Sequence, residues 1–520
     1  MTGPAAGGPL PLRLDALARA LSGDARVVGD GSVCVTGVQH DSRAVRPGDL
    51  FVARKGERFD GATFAEGAVA RGAAAILATP GLLDGARVAV PLLLASDPRT
   101  ALAFAANEVY GRPSDAVCVA GITGTNGKTT TAHLVRGAVD GALGRETCGV
   151  LGTVGNAFGD FHEAAAHTTP EADDITRTLA AMRDRGATHA AMEVSSHGLA
   201  LGRVEALRFR VAALTNLTQD HLDFHGSMGA YAEAKARLFT DLRPDCAVLN
   251  VDDAFGRDVA RATRASVVRV SARQDEGEDG DADIAPRRIV LSARGIDMVV
   301  RTPAGDVPLA SRLVGAHNAD NLLLALGIAY ALGLDAMRAA QALAQMPGPP
   351  GRMERCDTDG DDVVALVDYA HTPDALARVL AALRAVAPGR VLCVFGAGGD
   401  RDRAKRGPMG AAVAVGADVA VVTSDNPRTE DPVSIATAVA EGARGAGGSP
   451  LVELDRRTAI ARTIEQAAPG DVVLVAGKGH EDYQIVGDVK HPFDDRDEVR
   501  QALAARRVRR DRARAGAEAR

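Results

Sequence analysis

Three observations predict an α/β protein built from three domains. Length is the first: 520 residues leave room for about three cores of ordinary size. The second is the stretch Val117-Cys118-Val119-Ala120-Gly121-Ile122-Thr123-Gly124-Thr125-Asn126-Gly127-Lys128-Thr129-Thr130, which runs from apolar β-compatible residues through a glycine-punctuated turn into helical spacing. Repeated alternation of short apolar runs with helical patterns is the third, and it implies parallel sheets with ligands at the carboxyl ends of the strands. The expected architecture is a small N-terminal α/β domain (1–113), a central domain with a P-loop ATPase-like parallel sheet (114–346) and a Rossmann-like C-terminal domain (347–520).

Composition bounds the partners. Hydrophobic content of 46%, charged content of 24% and a net charge of -7 are ordinary for a soluble globular protein and give no nucleic-acid surface. The six cysteines are scattered without a CxxC pair and are expected to be free thiols in a reducing cytoplasm. No basic start precedes an apolar core at the N-terminus, and the longest apolar run, near 322–334, is too short for a bilayer. The expectation is a cytoplasmic protein with no membrane segment.

After a flexible start, Leu14, Leu17, Ala18 and Leu21 share one helical face, which Gly23 terminates. A β-like run at 33–38 leads to His40-Asp41-Ser42-Arg43, and a second at 47–53 leads to a glycine-containing loop, 56–61. A boundary is expected at Gly111-Arg112-Pro113-Ser114. In the glycine-punctuated stretch, Gly124 and Gly127 let the loop wrap so that backbone N–H groups of Thr125 and Asn126 face phosphate oxygens. Lys128 supplies a cation, Thr129 a hydroxyl for Mg²⁺, and the helix that continues through Thr130 adds its positive N-terminus. ATP is the natural ligand. The generic P-loop spacing is not met, because Ile122 stands five residues before Gly127; the bland alternative is a turn that merely ends in Gly-Lys-Thr.

Further strands are expected at 190–194, 211–214 and 247–250. Glu193 and His221 would each follow a strand that abuts the phosphate loop, which favours a Mg²⁺ role for both. The helix 231–239 carries Lys235, which residue chemistry alone reads as a solvated lysine. His167-Thr168-Thr169-Pro170 reads as a turn opening a helix, with a threonine N-cap ahead of Glu171, Asp173 and Asp174. The acidic segment 275–283 lacks the downstream bidentate Glu of a calcium loop and is expected at the surface. Residues 314–321 form a turn before an apolar helix, 322–332, and the Pro/Gly-rich stretch 345–352 is expected to be the hinge. The last domain should place strands at 363–367, 391–395, 419–423 and 472–476, whose following loops define a crevice. The Arg-rich tail, 506–520, is expected to be a frayed helical end rather than a nucleic-acid arm.

The loop Gly-Thr-Asn-Gly-Lys-Thr, the Asp-Ser-Arg and Gly-Asp-Leu-Phe-Val-Ala runs near the N-terminus, Asp-His-Leu-Asp-Phe-His at 220–225 and Asp-Asn-Pro-Arg at 425–428 together resemble the Mur ligases. These are ATP-dependent amide-bond formers of peptidoglycan synthesis, a process on which cell shape and division depend. The resemblance spans nearly the whole chain and points to the branch that adds meso-diaminopimelate to UDP-N-acetylmuramoyl-L-alanyl-D-glutamate through an acyl phosphate.

The resemblance implies that Lys128, Glu193, His221 and Lys235 are catalytic, that Lys235 is carbamylated by CO₂, and that Thr129, Glu193, His221 and the carbamate hold Mg²⁺. Asn318, Arg352, Asp368 and His371 would join residues 124–130 around ATP. Ser42, His167, Thr168, Thr169, Ser195 and Arg203 would hold the UDP-muramoyl dipeptide, while His40 and Leu201, near that subsite, carry no assigned role. Arg401, Asp425, Asn426, Pro427, Arg428, Gly477 and Glu481 would take diaminopimelate, Arg428 reading its extra carboxylate as a bidentate fork. The third domain would close about 347–351, and the protein is expected to be a monomer. The alternatives are a lysine-adding branch, which should lack Arg428, a folylpolyglutamate synthetase-like amide ligase, a P-loop kinase and a nucleotide-binding scaffold.

Overall fold

A computed structural model describes residues 11–21, 25–55, 60–84, 88–274 and 282–518. The start of the chain, Gly23, positions 56–59 of the glycine-containing loop, positions 275–281 of the acidic segment and the last two residues of the tail lie outside the described residues.

The N-terminal sheet has five strands in the order Arg26–Val28, Leu92–Leu94, Ala75–Ala78, Asp49–Val52 and Gly37–Gln39. Its last four strands pair parallel. Leu50, Val52, Ala75 and Leu77 bury against Leu102, Ala105 and Ala106 of the helix Pro98–Val109. Asp97 caps that helix by accepting from Arg99 and Thr100, and Pro98 opens it where no backbone donor is needed.

Six strands of the central sheet pair parallel in the order Cys148–Gly152, His189–Glu193, Cys118–Thr123, Phe209–Leu214, Cys246–Asn250 and Ser266–Val270. The phosphate-loop strand lies in the middle, flanked by the two strands that the sequence assigns to Glu193 and to the segment before His221. Carboxyl ends of parallel neighbours converge, so three candidate segments meet at one edge. Helices Lys128–Leu143 and Ala316–Ala331 share the core on one face. The second is apolar nearly all round and buried, and it begins six residues earlier than its hydrophobic run suggests.

A three-stranded antiparallel sheet, Ala285–Ser292, Gly295–Thr302 and Gly305–Ser311, was not anticipated. Its signal is present in the alternation of buried Ile296, Met298 and Val300 with more exposed neighbours.

The C-terminal sheet runs Glu354–Arg355, Val364–Asp368, Val472–Ala476, Val391–Phe395, Val419–Val422, Leu451–Val452, parallel except for its first strand. The tail differs from expectation. Residues Asp495–Glu518 form one helix whose stretch 506–510 is tied down rather than frayed. Arg506 donates to Asp362 at 2.8 Å, Arg507 to Asp361 at 2.8 Å and Arg510 to the Gly360 carbonyl at 2.7 Å, so a turn about 150 residues upstream anchors 506–510.

Arg456, fully buried, forms two 2.7 Å hydrogen bonds to Asp495 and also donates to Ala476 O at 3.0 Å and Ser424 O at 3.3 Å. It thereby clamps the ends of two strands whose following loops bound the expected crevice. Replacing Arg456 by Met leaves Asp495 charged and unpaired in the interior, at an expected cost of about 3–5 kcal/mol. A circular-dichroism melt of Arg456→Met that superimposes on the parent's would refute this.

Candidate active site

The phosphate loop takes its shape from two close approaches. Gly124 has φ +145°, and a Cβ there would lie 1.8 Å from Thr215 Oγ1; Gly127 has φ +85°, and a Cβ would lie 2.5 Å from Asn321 Oδ1. Only glycine fits either position. Thr215 Oγ1 donates to Asn126 O at 2.6 Å and Asn216 Oδ1 accepts from Asn126 N at 3.0 Å, so the neighbouring strand end braces the loop. Lys128 Nζ folds back onto Gly124 O and Thr125 O, both at 2.9 Å. Thr129 Oγ1 donates to Glu193 Oε2 at 2.8 Å, and Glu193 Oε1 accepts from Thr153 N at 2.7 Å. The hydroxyl and the carboxylate expected to act together are therefore adjacent.

Lys235 is not solvated. It lies buried in the helix Met228–Thr240, with Nζ 2.8 Å from Gly124 O and 4.6 Å from the centre of the Tyr231 ring. Burial, and then the charge of Lys128, pulls its ammonium down to about 6. Tyr231 OH is 3.1 Å from Thr125 Oγ1, which ties this helix to the loop. His221 stands half-exposed at positive φ, +51°, with its ring 4.8 Å from His197 and 6.3 Å from Tyr231. It contacts neither Thr129 nor Glu193 here.

Thr168, Thr169, Ser195 and Arg203 gather where the Glu193 strand ends. Thr169 is not the helix cap: the helix Ala172–Asp184 has Glu171 at its N-cap, without a side-chain capping bond. Instead Thr169 Oγ1 donates to Glu193 O and accepts from Ser195 N, both at 2.9 Å. The reason is geometric, because the adjacent strand end offers both partners to one hydroxyl. Arg203 donates to Thr169 O at 2.8 Å and pairs with Glu171 at 2.6 Å, while Thr168 Oγ1 accepts from Thr153. His167 is exposed on the rim of a 220 Å³ cleft, and Ser42 is half-buried with no side-chain hydrogen bond among the described residues. His40 Nδ1 lies 2.8 Å from Asp173, joining the N-terminal and central units.

On both sides of the Pro/Gly-rich stretch 345–352, Asn126, Gly127, Thr130, Asn318, Arg352, Asp368 and His371 line one cleft of about 470 Å³. Asp368 accepts from Met353 N and Ala370 N, both at 2.8 Å, so its carboxylate also fixes the backbone just past the Pro/Gly-rich stretch. Asn318 donates to Val314 O and accepts from Asn321. Arg352 stacks on Tyr369 at 4.9 Å, with its Nε buried and unpartnered among the described residues.

The C-terminal crevice presents both charges. Arg428, at φ +53°, donates from Nη1 to Gly399 O at 2.8 Å. A Cβ on Gly398 would lie 3.1 Å from Arg428 Nη1 and 3.7 Å from Arg401 Cγ, so both arginines flank that glycine. Asn426 donates to Glu481 Oε2 at 2.9 Å, and the Asp425 carboxylate faces Gly477, where a Cβ would lie 2.6 Å from Oδ2. Pro427 turns the chain, its carbonyl accepting from Glu430 N. Such a crevice suits an amino acid carrying both ammonium and carboxylate groups.

Family models described as "Mur ligase family, catalytic domain", "Mur ligase middle domain" and "Mur ligase, glutamate ligase domain" match residues 34–109, 122–329 and 351–479. The chain belongs to the Mur ligase family. It is similar to a UDP-N-acetylmuramoyl-L-alanyl-D-glutamate–2,6-diaminopimelate ligase of Streptomyces coelicolor, 45% identical over 96% of this chain and 98% of the relative. A Gloeobacter violaceus protein of the same name is 44% identical over 91% of this chain and 95% of its own length. A solved structure of a protein so named aligns with a TM-score of 0.71 at 34% identity, covering 95% of this chain and 99% of that one.

Several residues of this Mur ligase site were missed by sequence reasoning. Thr153 lies in no quoted motif. Tyr231, Thr215 and Lys478 lie in or beside quoted stretches, but nothing in their spacing distinguishes a buried contact from a surface one.

Two predictions follow from the geometry. Gly124→Ala should abolish ATP binding, measured by calorimetry, because neither the φ nor the space admits a Cβ; a dissociation constant within threefold of the parent's would refute it. The second concerns pH. Burial lowers the His40 pKa, but the hydrogen bond and charge of Asp173, with Asp174 and Glu171 behind it, outweigh burial and leave it above 6.5. The pair's contribution is thus complete below about pH 6.5 and is lost as pH rises through the raised value. His40→Gln should flatten this fall, and identical pH profiles of melting temperature would count against it.

Proposed function

We propose that this chain joins meso-diaminopimelate to UDP-N-acetylmuramoyl-L-alanyl-D-glutamate with consumption of ATP, forming an amide bond in peptidoglycan precursor synthesis. The observation that carries this reading is the loop set in which Arg428 and Arg401 flank Gly398, Asn426 joins Glu481 and Asp425 faces Gly477. Diaminopimelate differs from lysine by one carboxylate, and a guanidinium fork is the group that selects it. The names of the similar proteins support the same reading.

The γ-phosphoryl group of ATP is transferred to the side-chain carboxylate of the D-glutamyl residue, giving an acyl phosphate; the amine then attacks the acyl carbon and phosphate leaves. Lys128, now donating to two loop carbonyls, turns those donors to phosphate oxygens, and Arg352, with an unpartnered Nε, adds charge from across the hinge. Asn318, Asp368 and His371 line the nucleotide cleft. Thr168, Thr169, Ser195, Arg203, Ser42 and His167 face the muramoyl dipeptide.

The Thr129 hydroxyl and Glu193 carboxylate, 2.8 Å apart, are hard oxygen donors that fit Mg²⁺; His221 and a carbamylated Lys235 would be its further ligands once brought to that pair. Mg²⁺ would supply charge neutralisation at the phosphates. With its ammonium pulled down to about 6, Lys235 is largely an uncharged amine near neutrality, the form that adds CO₂. As a carbamate it would offer oxygen acceptors and would no longer compete with Lys128 for Gly124 O.

The domains are taken as 1–113, 114–346 and 347–520, the last closing about 347–351 to exclude water from the acyl phosphate. The reading includes a monomeric cytoplasmic enzyme with no membrane or nucleic-acid partner, serving cell-wall assembly and through it cell shape and division.

Phosphate release should require ATP, Mg²⁺, the UDP-muramoyl dipeptide and meso-diaminopimelate; equal turnover with L-lysine would discard the specificity argument. Arg428→Ala should lower kcat/KM for diaminopimelate by about tenfold to a hundredfold, as expected for a lost charged hydrogen bond. Growth on ¹³C-bicarbonate buffer should give a carbamate NMR signal that Lys235→Ala removes, and persistence of that signal in the variant would sink the carbamate assignment.

A further inference from the structure

Lys478 is a fully buried lysine to which the reaction as derived gives no task. It follows the strand Val472–Ala476, between Gly477 at φ +120° and Gly479 at φ +54°. A Cβ on Gly479 would lie 2.6 Å from Tyr369 Cβ, so the loop is held against the neighbouring strand end. Lys478 Nζ donates to Asn426 Oδ1 at 3.2 Å and to Glu481 Oε2 at 3.3 Å, and lies 5.5 Å from the centre of the Tyr483 ring. Asn426 Oδ1 also accepts from Ile485 N at 2.9 Å, which fills its acceptor capacity and orients the amide so that Nδ2 donates to Glu481 Oε2. Both fixed contacts of Glu481 fall on Oε2, and Oε1 carries no hydrogen bond among the described residues.

We propose that Lys478 is a positioning residue for the amino-acid substrate: its buried ammonium locks Asn426 and Oε2 of Glu481, leaving Oε1 to receive the substrate's ammonium group. Lys478 touches no substrate in this arrangement; it acts through Glu481. Without the lysine, the Asn426 amide loses one of the two donors that define its orientation, and Glu481 loses one of the two donors that hold Oε2 in place. The inference rests on the ligase reading above.

The test is steady-state phosphate release by the full chain carrying Lys478→Met, which keeps side-chain length without charge, and Lys478→Gln, which keeps hydrogen-bonding capacity. The expected result is a KM for meso-diaminopimelate raised at least tenfold, with kcat at saturating diaminopimelate and KM for ATP within twofold of the parent. Trapping the acyl phosphate without the amine gives a second readout, expected to be unchanged. A merely structural role would move all three kinetic constants together and depress the trapped yield, and that outcome overturns the proposal. So does an unchanged KM for diaminopimelate, or failure of both variants to fold. If the parent protein itself does not turn over diaminopimelate, the ligase reading fails instead, which the parent assay reveals separately.

Discussion

Two lysine side chains, Lys128 and Lys235, donate to the same carbonyl oxygen, that of Gly124. Like charges drawn into one buried place are tolerable only if one is discharged or if an anion arrives between them. The rest of the central unit is arranged around that constraint. Three parallel strands bring their carboxyl ends together, Tyr231 fastens the helix of Lys235 to Thr125, and Glu193 stands one hydroxyl away through Thr129. The crowding of two lysines onto Gly124 O is what the surrounding strand ends and helix must accommodate.

The hydrophobic record in the sequence reports local conformation well where burial is two-sided. The phosphate-loop strand and helix start where the apolar run and the glycines say they should, and Val391–Phe395 and Val472–Ala476 coincide with their expected spans. Covered parallel strands read as unbroken apolar runs, so their limits are visible. The antiparallel sheet from Ala285 to Ser311 has only half-buried strands, whose alternation is weaker and is interrupted by Pro286 and Pro308.

Polar contacts are harder to read than apolar runs, because a hydroxyl or ammonium can satisfy itself locally or across the fold. Thr169 illustrates this: its sequence context fits a helix cap, yet its partners are Glu193 and Ser195, more than twenty residues away. Lys235 and Lys478 look like surface lysines until the fold closes over them. Arg506 finds Asp362 at a separation of 144 positions, which no local pattern encodes. The resemblance of motifs brought these segments to the same site; distances and burial gave Asp368, Tyr231 and Lys478 their contacts.

The Arg456–Asp495 clamp also orders events during synthesis. A ribosome releases the chain from its N-terminus, and domains generally fold as units in that order. The N-terminal and central cores draw only on residues up to 346. The loops at 425–428 and 477–481 hang from strand ends that Arg456 grips only once Asp495 has emerged. A nascent chain can therefore hold a shaped 124–130 loop while the 425–428 and 477–481 loops still wait for the segment that carries Asp495.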